Sequence, residues 1–208
     1  MSRLYKFILL IPLLILGCKS NIKNDTNIIQ TINSLDMNIF SIDGKKLLSI
    51  KSPYSNYDKG KNIYNLRETT IIFFEDNESK YFITSDKSKL SNNNKLIELN
   101  GNVLVKTLLK EDDKLYSNSF RWNIEKSELL LVGNVNFKNN SINLSSNKAI
   151  LNKKTNIIEF YNPVKYRVKN NSNESKYEVN SQNAFYNIKT KSVIFRSKGN
   201  KVRSKIYF

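Results

Sequence analysis

Histidine is absent from the 208 residues, and cysteine occurs once, at Cys18. The first absence removes the commonest general base and metal ligand. The second excludes an internal disulfide. Only six glycines and three prolines are present, and none builds a Gly-rich phosphate loop or a G-x-S-x-G elbow. Acidic residues are scarce, 18 against 34 lysines and arginines, for a formal charge of +16. Two acidic groups do occur, Glu75/Asp76/Glu78 and Glu111/Asp112/Asp113. Both fall where turns are predicted, so their carboxylates are expected in solvent, and the Glu111 group lacks a calcium-loop pattern. No catalytic residue, metal ligand or cofactor is assigned, and the chain is not expected to be an enzyme.

A long hydrophobic run is also missing. The best stretch, Phe7 to Leu16, has ten residues and includes Pro12, where a membrane span needs about 20. Preceded by Arg3 and Lys6, it reads as a secretory signal over residues 1–17. Its end, Ile15-Leu16-Gly17-Cys18, resembles the lipobox of bacterial lipoproteins, which makes Cys18 the expected site of lipid attachment. Residues 18–36 are polar and read as a tether, and residues 37–208 as the folded part. So basic a chain usually suggests nucleic acid, but export argues against it. Dispersed lysines fit a solvated face; the sharper alternative is attraction to an anionic membrane or a phosphorylated glycolipid.

What is present is a repeat. Ser52, Ser85, Ser117, Ser146 and Ser181 fall in one column. Two residues earlier stand Ile50, Ile83, Leu115, Leu144 and Val179. Five later come Tyr57, Leu90, Trp122, Leu151 and Tyr186, each followed by Asp, Ser or Asn. Further apolar pairs follow, such as Ile97/Leu99, Leu129/Leu131 and Ile158/Phe160. Asp, Ser and Asn open turns by bonding the backbone ahead, so each copy reads strand, tight turn, strand. Serial hairpins of this kind make an all-β, one-dimensional stack. Two copies end in Gly-Asn-Val, at Gly101 and Gly133; the fourth has Asn162-Pro163-Val164, and the first, Glu68-Thr69-Thr70, breaks the rule.

Parity adds a constraint. In the fourth copy Leu144 and Ser146 are even-numbered, whereas Ala149 and Leu151 are odd. A regular strand cannot hold both sets on one face, so a bulge or bend is predicted one or two residues after each serine. Otherwise the early set faces outward. The apolar face needs a second wall: meeting walls make a core, splayed walls an apolar trough. A wall filled everywhere, with no gap or seam, leaves only a tethered scaffold. The final run alternates through Val202, Ser204 and Ile206, guarded by Arg203 and Lys205, and is expected to be an edge open to strand addition.

Phe40 through Gly44, Leu48-Ser49-Ile50-Lys51-Ser52-Pro53-Tyr54, Tyr64-Asn65-Leu66 with Thr70-Ile71-Ile72-Phe73, and the runs ending in Gly101-Asn102-Val103 and Gly133-Asn134-Val135 resemble the LptC family of the lipopolysaccharide export machine. The resemblance spans roughly residues 37 to 205. It implies an elongated, twisted β-jellyroll of stacked antiparallel hairpins, open along one side, that binds lipopolysaccharide acyl chains. It implies receipt of lipid from an LptB/LptF/LptG-like ABC transporter and strand addition to an LptA-like protein. Carried onto matching columns, Ile97, Leu99, Leu129, Leu131, Ile158 and Phe160 become interior wall, with Trp122 beside them. The family role places the chain at the periplasmic face of the inner membrane, with the outer membrane left open; Lys19 is not the retention aspartate of enterobacterial lipoproteins. Many relatives keep a transmembrane helix where this chain has a lipobox. The rival reading is a structural or adhesive surface lipoprotein with a closed core.

Overall fold

The computed structural model describes residues 28–91, 93–108, 113–126, 128–169, 175–199 and 202–206. The signal, Cys18 and most of the expected tether lie outside these. Twelve strands follow in chain order: β1 (Ile29–Phe40), β2 (Lys46–Asp58), β3 (Ile63–Glu75), β4 (Glu78–Ser91), β5 (Leu96–Thr107), β6 (Lys114–Asn123), β7 (Glu128–Lys138), β8 (Ile142–Asn152), β9 (Ile157–Lys169), β10 (Ser175–Asn187), β11 (Val193–Arg196) and β12 (Arg203–Ile206). Each pairs antiparallel with its sequence neighbour from β1 to β11, and β12 returns to pair with β10. The fold is the all-β stack of hairpins expected.

One boundary differs. The sheet begins at Ile29, within the stretch read as tether, with Ile29 opposite Asp58. Leu35, Met37 and Ile39 pack against the core. The first half of β1 has mainly polar side chains on an edge strand, so it carries little hydrophobic periodicity.

The turn-formers act as the residue types require. Asn152 Oδ1 accepts from the amides of Lys154 (3.0 Å) and Thr155 (3.3 Å). Asn187 Oδ1 does the same for Lys189 (2.9 Å) and Thr190 (3.0 Å), and Asp58 Oδ1 accepts from Lys61 (3.1 Å). These bonds close the hairpin ends from the side chain rather than from glycine.

The predicted bend lies in the middle of the strands. Register shifts fall at Thr84/Lys87, Tyr116/Ser119, Ser145/Lys148 and Ser181/Asn183, each just after a column serine. The serine hydroxyl donates to the carbonyl two residues on in all five copies: Ser52 to Tyr54 (2.7 Å), Ser85 to Lys87 (3.3 Å), Ser117 to Ser119 (3.0 Å), Ser146 to Lys148 (2.9 Å) and Ser181 to Asn183 (2.9 Å). A bent ladder leaves backbone groups short of partners, and a buried one must find another. The hydroxyl supplies it.

On the facing strand the bend is made by left-handed backbone. Gly101 and Asn102 have φ of +79° and +44°, and Gly133 and Asn134 have +78° and +49°. Asn102 Nδ2 donates to Asp86 Oδ2 (2.9 Å), and Asn134 Nδ2 to Asn118 Oδ1 (3.3 Å), tying the bends of neighbouring strands together. The first copy, which lacks glycine, uses Glu68 itself at φ +51°, and the fourth has a cis Asn162–Pro163 peptide at this place.

The bends fold the sheet over itself, so each long strand gives one half to each of two walls. Within β8, Leu144 and Ser146 point inward before the bend, and Ala149 and Leu151 after it. The outward alternative is not realised: Ile50, Ile83, Leu115, Leu144 and Val179 are all buried. One wall ends in the turns β1–β2, β3–β4, β5–β6, β7–β8 and β9–β10; call it wall A. Wall B ends in the alternate turns. Aromatic pairs from non-neighbouring strands join them: Phe73 with Trp122 (5.4 Å between centroids), Phe137 with Tyr186 (4.7 Å) and Tyr166 with Phe195 (5.2 Å). The last strand is split, β11 lying on Asn183–Tyr186 in wall B and β12 on Tyr177–Asn180 in wall A.

A Cβ at Gly133 would stand 2.9 Å from Asn118 Nδ2, at a φ that L-residues avoid. Gly133→Ala is expected to cost about 1–2 kcal/mol, read as a lower urea midpoint. An unchanged midpoint would show that the bend is not a stability determinant.

Candidate functional site

The space between the walls is the site that the strand pattern builds. Ile97, Leu99, Trp122, Leu129, Leu131, Ile158 and Phe160 all come from wall-B half-strands, and all are 7% exposed or less. Phe73, Ile83, Leu115, Phe137, Leu144 and Val164 face them from wall A and are equally buried. Leu130, which alternates with Leu129 and Leu131 along β7, is half-buried. The indole of Trp122 donates to the Lys126 carbonyl (3.3 Å) and keeps its ring under the turn.

The choice between core and trough falls on the side of a core. The walls meet and fill most of the interior. A cavity of about 20 Å³ remains among Phe73, Tyr81, Phe120, Trp122 and Leu131, with another of about 30 Å³ beside Leu115, Phe137 and Ile158. Each holds about one water-sized sphere. Strand periodicity identifies which face is oily; it does not fix how far apart two oily faces stand.

The open side of the jellyroll is a seam. The strand order never closes on itself, so the two rows of turns face each other without a shared ladder. Side chains span the gap. Lys153, in the β8–β9 turn of wall B, lies over Phe73 of wall A (4.9 Å to centroid) and over Trp122 of its own wall (4.8 Å). Lys191 Nζ, in the β10–β11 turn, meets Asp113 Oδ2 in the β5–β6 turn at 3.0 Å. Asn139 Nδ2 donates to the other oxygen of Asp113 (3.0 Å).

Asp113 corrects the sequence reading. Its side chain is 5% exposed, not solvated. The signal was parity: Asp113 shares the inward phase of Leu115 and Ser117. Lys153 likewise continues the inward phase of Ala149 and Leu151. The Glu75 group does behave as a turn cluster, with Glu75 paired to Lys80 and Asp76 88% exposed. Among the described residues no acidic, histidine or cysteine cluster could hold a metal ion, and no helix is long and apolar enough to cross a membrane.

The C-terminal candidates Val202, Ser204 and Ile206 lie at the rim of wall A. Ser204 stands opposite Val179 and Ile206 opposite Tyr177, which puts both on the inner-facing side. Val202 is 44% exposed and Ile206 61%. Cys18 lies outside the described residues.

The family described as Lipopolysaccharide-assembly, LptC-related, matches residues 14–129 and 134–196. That match takes in all the interior candidates except Leu131 and stops short of β12. No curated protein matches the chain in sequence. Among solved structures, the chain is similar to LptH from Pseudomonas aeruginosa, the LptA-homologous periplasmic component of its lipopolysaccharide transport device. The two are 8% identical with a TM-score of 0.40, over 77% of this chain and 94% of that one.

Removing Lys191 takes the ammonium away from the buried Asp113 carboxylate and leaves the Asn139 amide donating to it. Lys191→Ala is expected to cost about 1–2 kcal/mol, moderated because the lysine is partly in solvent. It should also make Trp122, the only tryptophan, easier to quench with acrylamide. Unaltered quenching would mean that the clasp does not hold the seam.

Proposed function

The chain belongs to the LptC-related lipopolysaccharide-assembly family, and on that premise we propose that it relays lipopolysaccharide across the periplasm. Residues 1–17 are removed, Cys18 is acylated, and the β-domain is held at the periplasmic face of the inner membrane. An LptB/LptF/LptG-like ABC transporter delivers the lipid and supplies the energy. The acyl chains travel between walls A and B, past Trp122, Leu131 and Phe160. An LptA-like protein adds a strand at the edge that contains Val202, Ser204 and Ile206. This chain forms and breaks no bond.

One observation carries the reading: an interior oily on both walls is shut on its long side, among the described residues, by side chains and not by a strand ladder. An acyl chain sliding in replaces wall-to-wall apolar contact by wall-to-lipid contact. The apolar surface stays covered, at about 25 cal/mol per Å² on either count, so the cost of opening reduces to the clasp and the Lys153 cap. The filled interior favours a second reading, a surface lipoprotein that serves as a scaffold.

A photo-reactive residue at Leu131 in living cells is expected to yield lipopolysaccharide adducts, and one at Leu130 none. Adducts at neither position, with the protein folded, would favour the scaffold; adducts at Leu130 alone would reverse the faces. Radiolabelled fatty acid fed to cells is expected to enter the wild-type protein and not the Cys18→Ser variant. A wild-type protein without label would refute the lipid anchor.

A further inference from the structure

Ammonium groups gather at the mouth of the seam. Lys80 leaves the start of β4 in wall A, and Lys153 and Lys189 leave turns of wall B. Lys80 has Glu75 as a partner, and Lys191 nearby has Asp113. Among the described residues Lys153 has aromatic rings beneath it and no carboxylate beside it. Burial, then the charge of Lys189, holds the Lys80 ammonium below its ordinary value. Burial, then the charge of Lys80, does the same to Lys153. The geometry agrees: the Lys80 ammonium lies over the Tyr81 ring (5.8 Å to centroid), Tyr81 and Lys153 line one cavity, and Tyr81 and Ile188, the neighbour of the exposed Lys189, line the next.

Beneath this cluster lie the two small cavities, which share Tyr81, Val105, Leu115 and Leu151 and have almost no polar surface apart from the seam residues. Positive groups held partly out of water beside one another are costly. Here they also stand over an oily slit. An anion attached to an acyl chain relieves both conditions: phosphate oxygens neutralise the ammoniums, and the chain fills the slit.

We propose that Lys80, Lys153 and Lys189 form a recognition site for the phosphate of a phosphorylated acyl lipid, whose chain enters the seam beside Trp122. The inference rests on the transport reading and deepens it, because it says where the headgroup sits while the chains are inside. Lys153 then acts as both lid and ligand: leaving the Phe73 and Trp122 rings for the phosphate uncovers the slit.

Trp122 reports the event. Full-chain protein is titrated with monomeric dihexanoyl phosphatidic acid, with dihexanoylglycerol and with inorganic phosphate, and its emission is followed. The phosphatidic acid is expected to act at least tenfold below the concentration of either other probe. Lys80→Gln with Lys189→Gln keeps Lys153 on the rings and should weaken that preference several-fold; adding Lys153→Gln should abolish it. Lys87→Gln with Lys89→Gln, on the opposite side of the fold, should leave it intact. Equal response to the phosphatidic acid and the diacylglycerol, equal response to inorganic phosphate, or a preference that survives the triple substitution would overturn the inference. Failure of Leu131 cross-linking alongside an intact phosphate preference would defeat the relay and spare this site. Cross-linking at Leu131 without a phosphate preference would do the reverse.

Discussion

The molecule depends on a buried hydroxyl that captures a carbonyl stranded at a bend. A straight strand with this sequence would send half of its oily side chains to each face. The bend after Ser52, Ser85, Ser117, Ser146 and Ser181 resets the alternation, so Leu144 and Leu151, seven residues apart, both point inward. Serine suits the position because it is small enough for a crowded interior and still donates a hydrogen bond. The left-handed Gly-Asn pairs of the facing strands complete the turn of the sheet. From this follow the two walls, the enclosed interior and the seam where the walls end.

Much of this was legible. The serine column, the turn asparagines and the parity break together required stacked hairpins with a mid-strand bend, because each is a local rule with a fixed offset. Three features were not. The first half of β1 lacks alternation, as an edge strand with mostly polar side chains can. Glu68 takes the left-handed place that glycine holds elsewhere, and its identity gives no warning. Asp113 was read by its neighbours Glu111 and Asp112 rather than by its phase with Leu115. The seven interior candidates, carried over from the family resemblance, are buried because they also follow the alternation; Lys80 and Lys153 come from β4 and the β8–β9 turn, and only the folded chain sets both beside one cavity.

The seam differs from the rest of the sheet in kind. Neighbouring half-strands are joined by backbone ladders that part only on unfolding. The turns of wall A and wall B are joined by an ion pair, a cation over two rings and apolar contact. Exchange of apolar contacts conserves covered area, so this boundary can part while the ladders stay whole.

Because strands β1 to β9 bond only to their neighbours in sequence, breadth and reach are set by separate parts of the chain. The length of a half-strand fixes how wide the interior is; the number of hairpins fixes how far it extends. Excising one thirty-residue unit would shorten the assembly by about 10 Å, two strand spacings, and leave its bore unchanged. A gene encoding such a ribbon can therefore change its reach by duplication or loss of a single module, with only the contacts that cross between non-neighbouring strands, such as Phe73–Trp122 and Lys191–Asp113, to be remade.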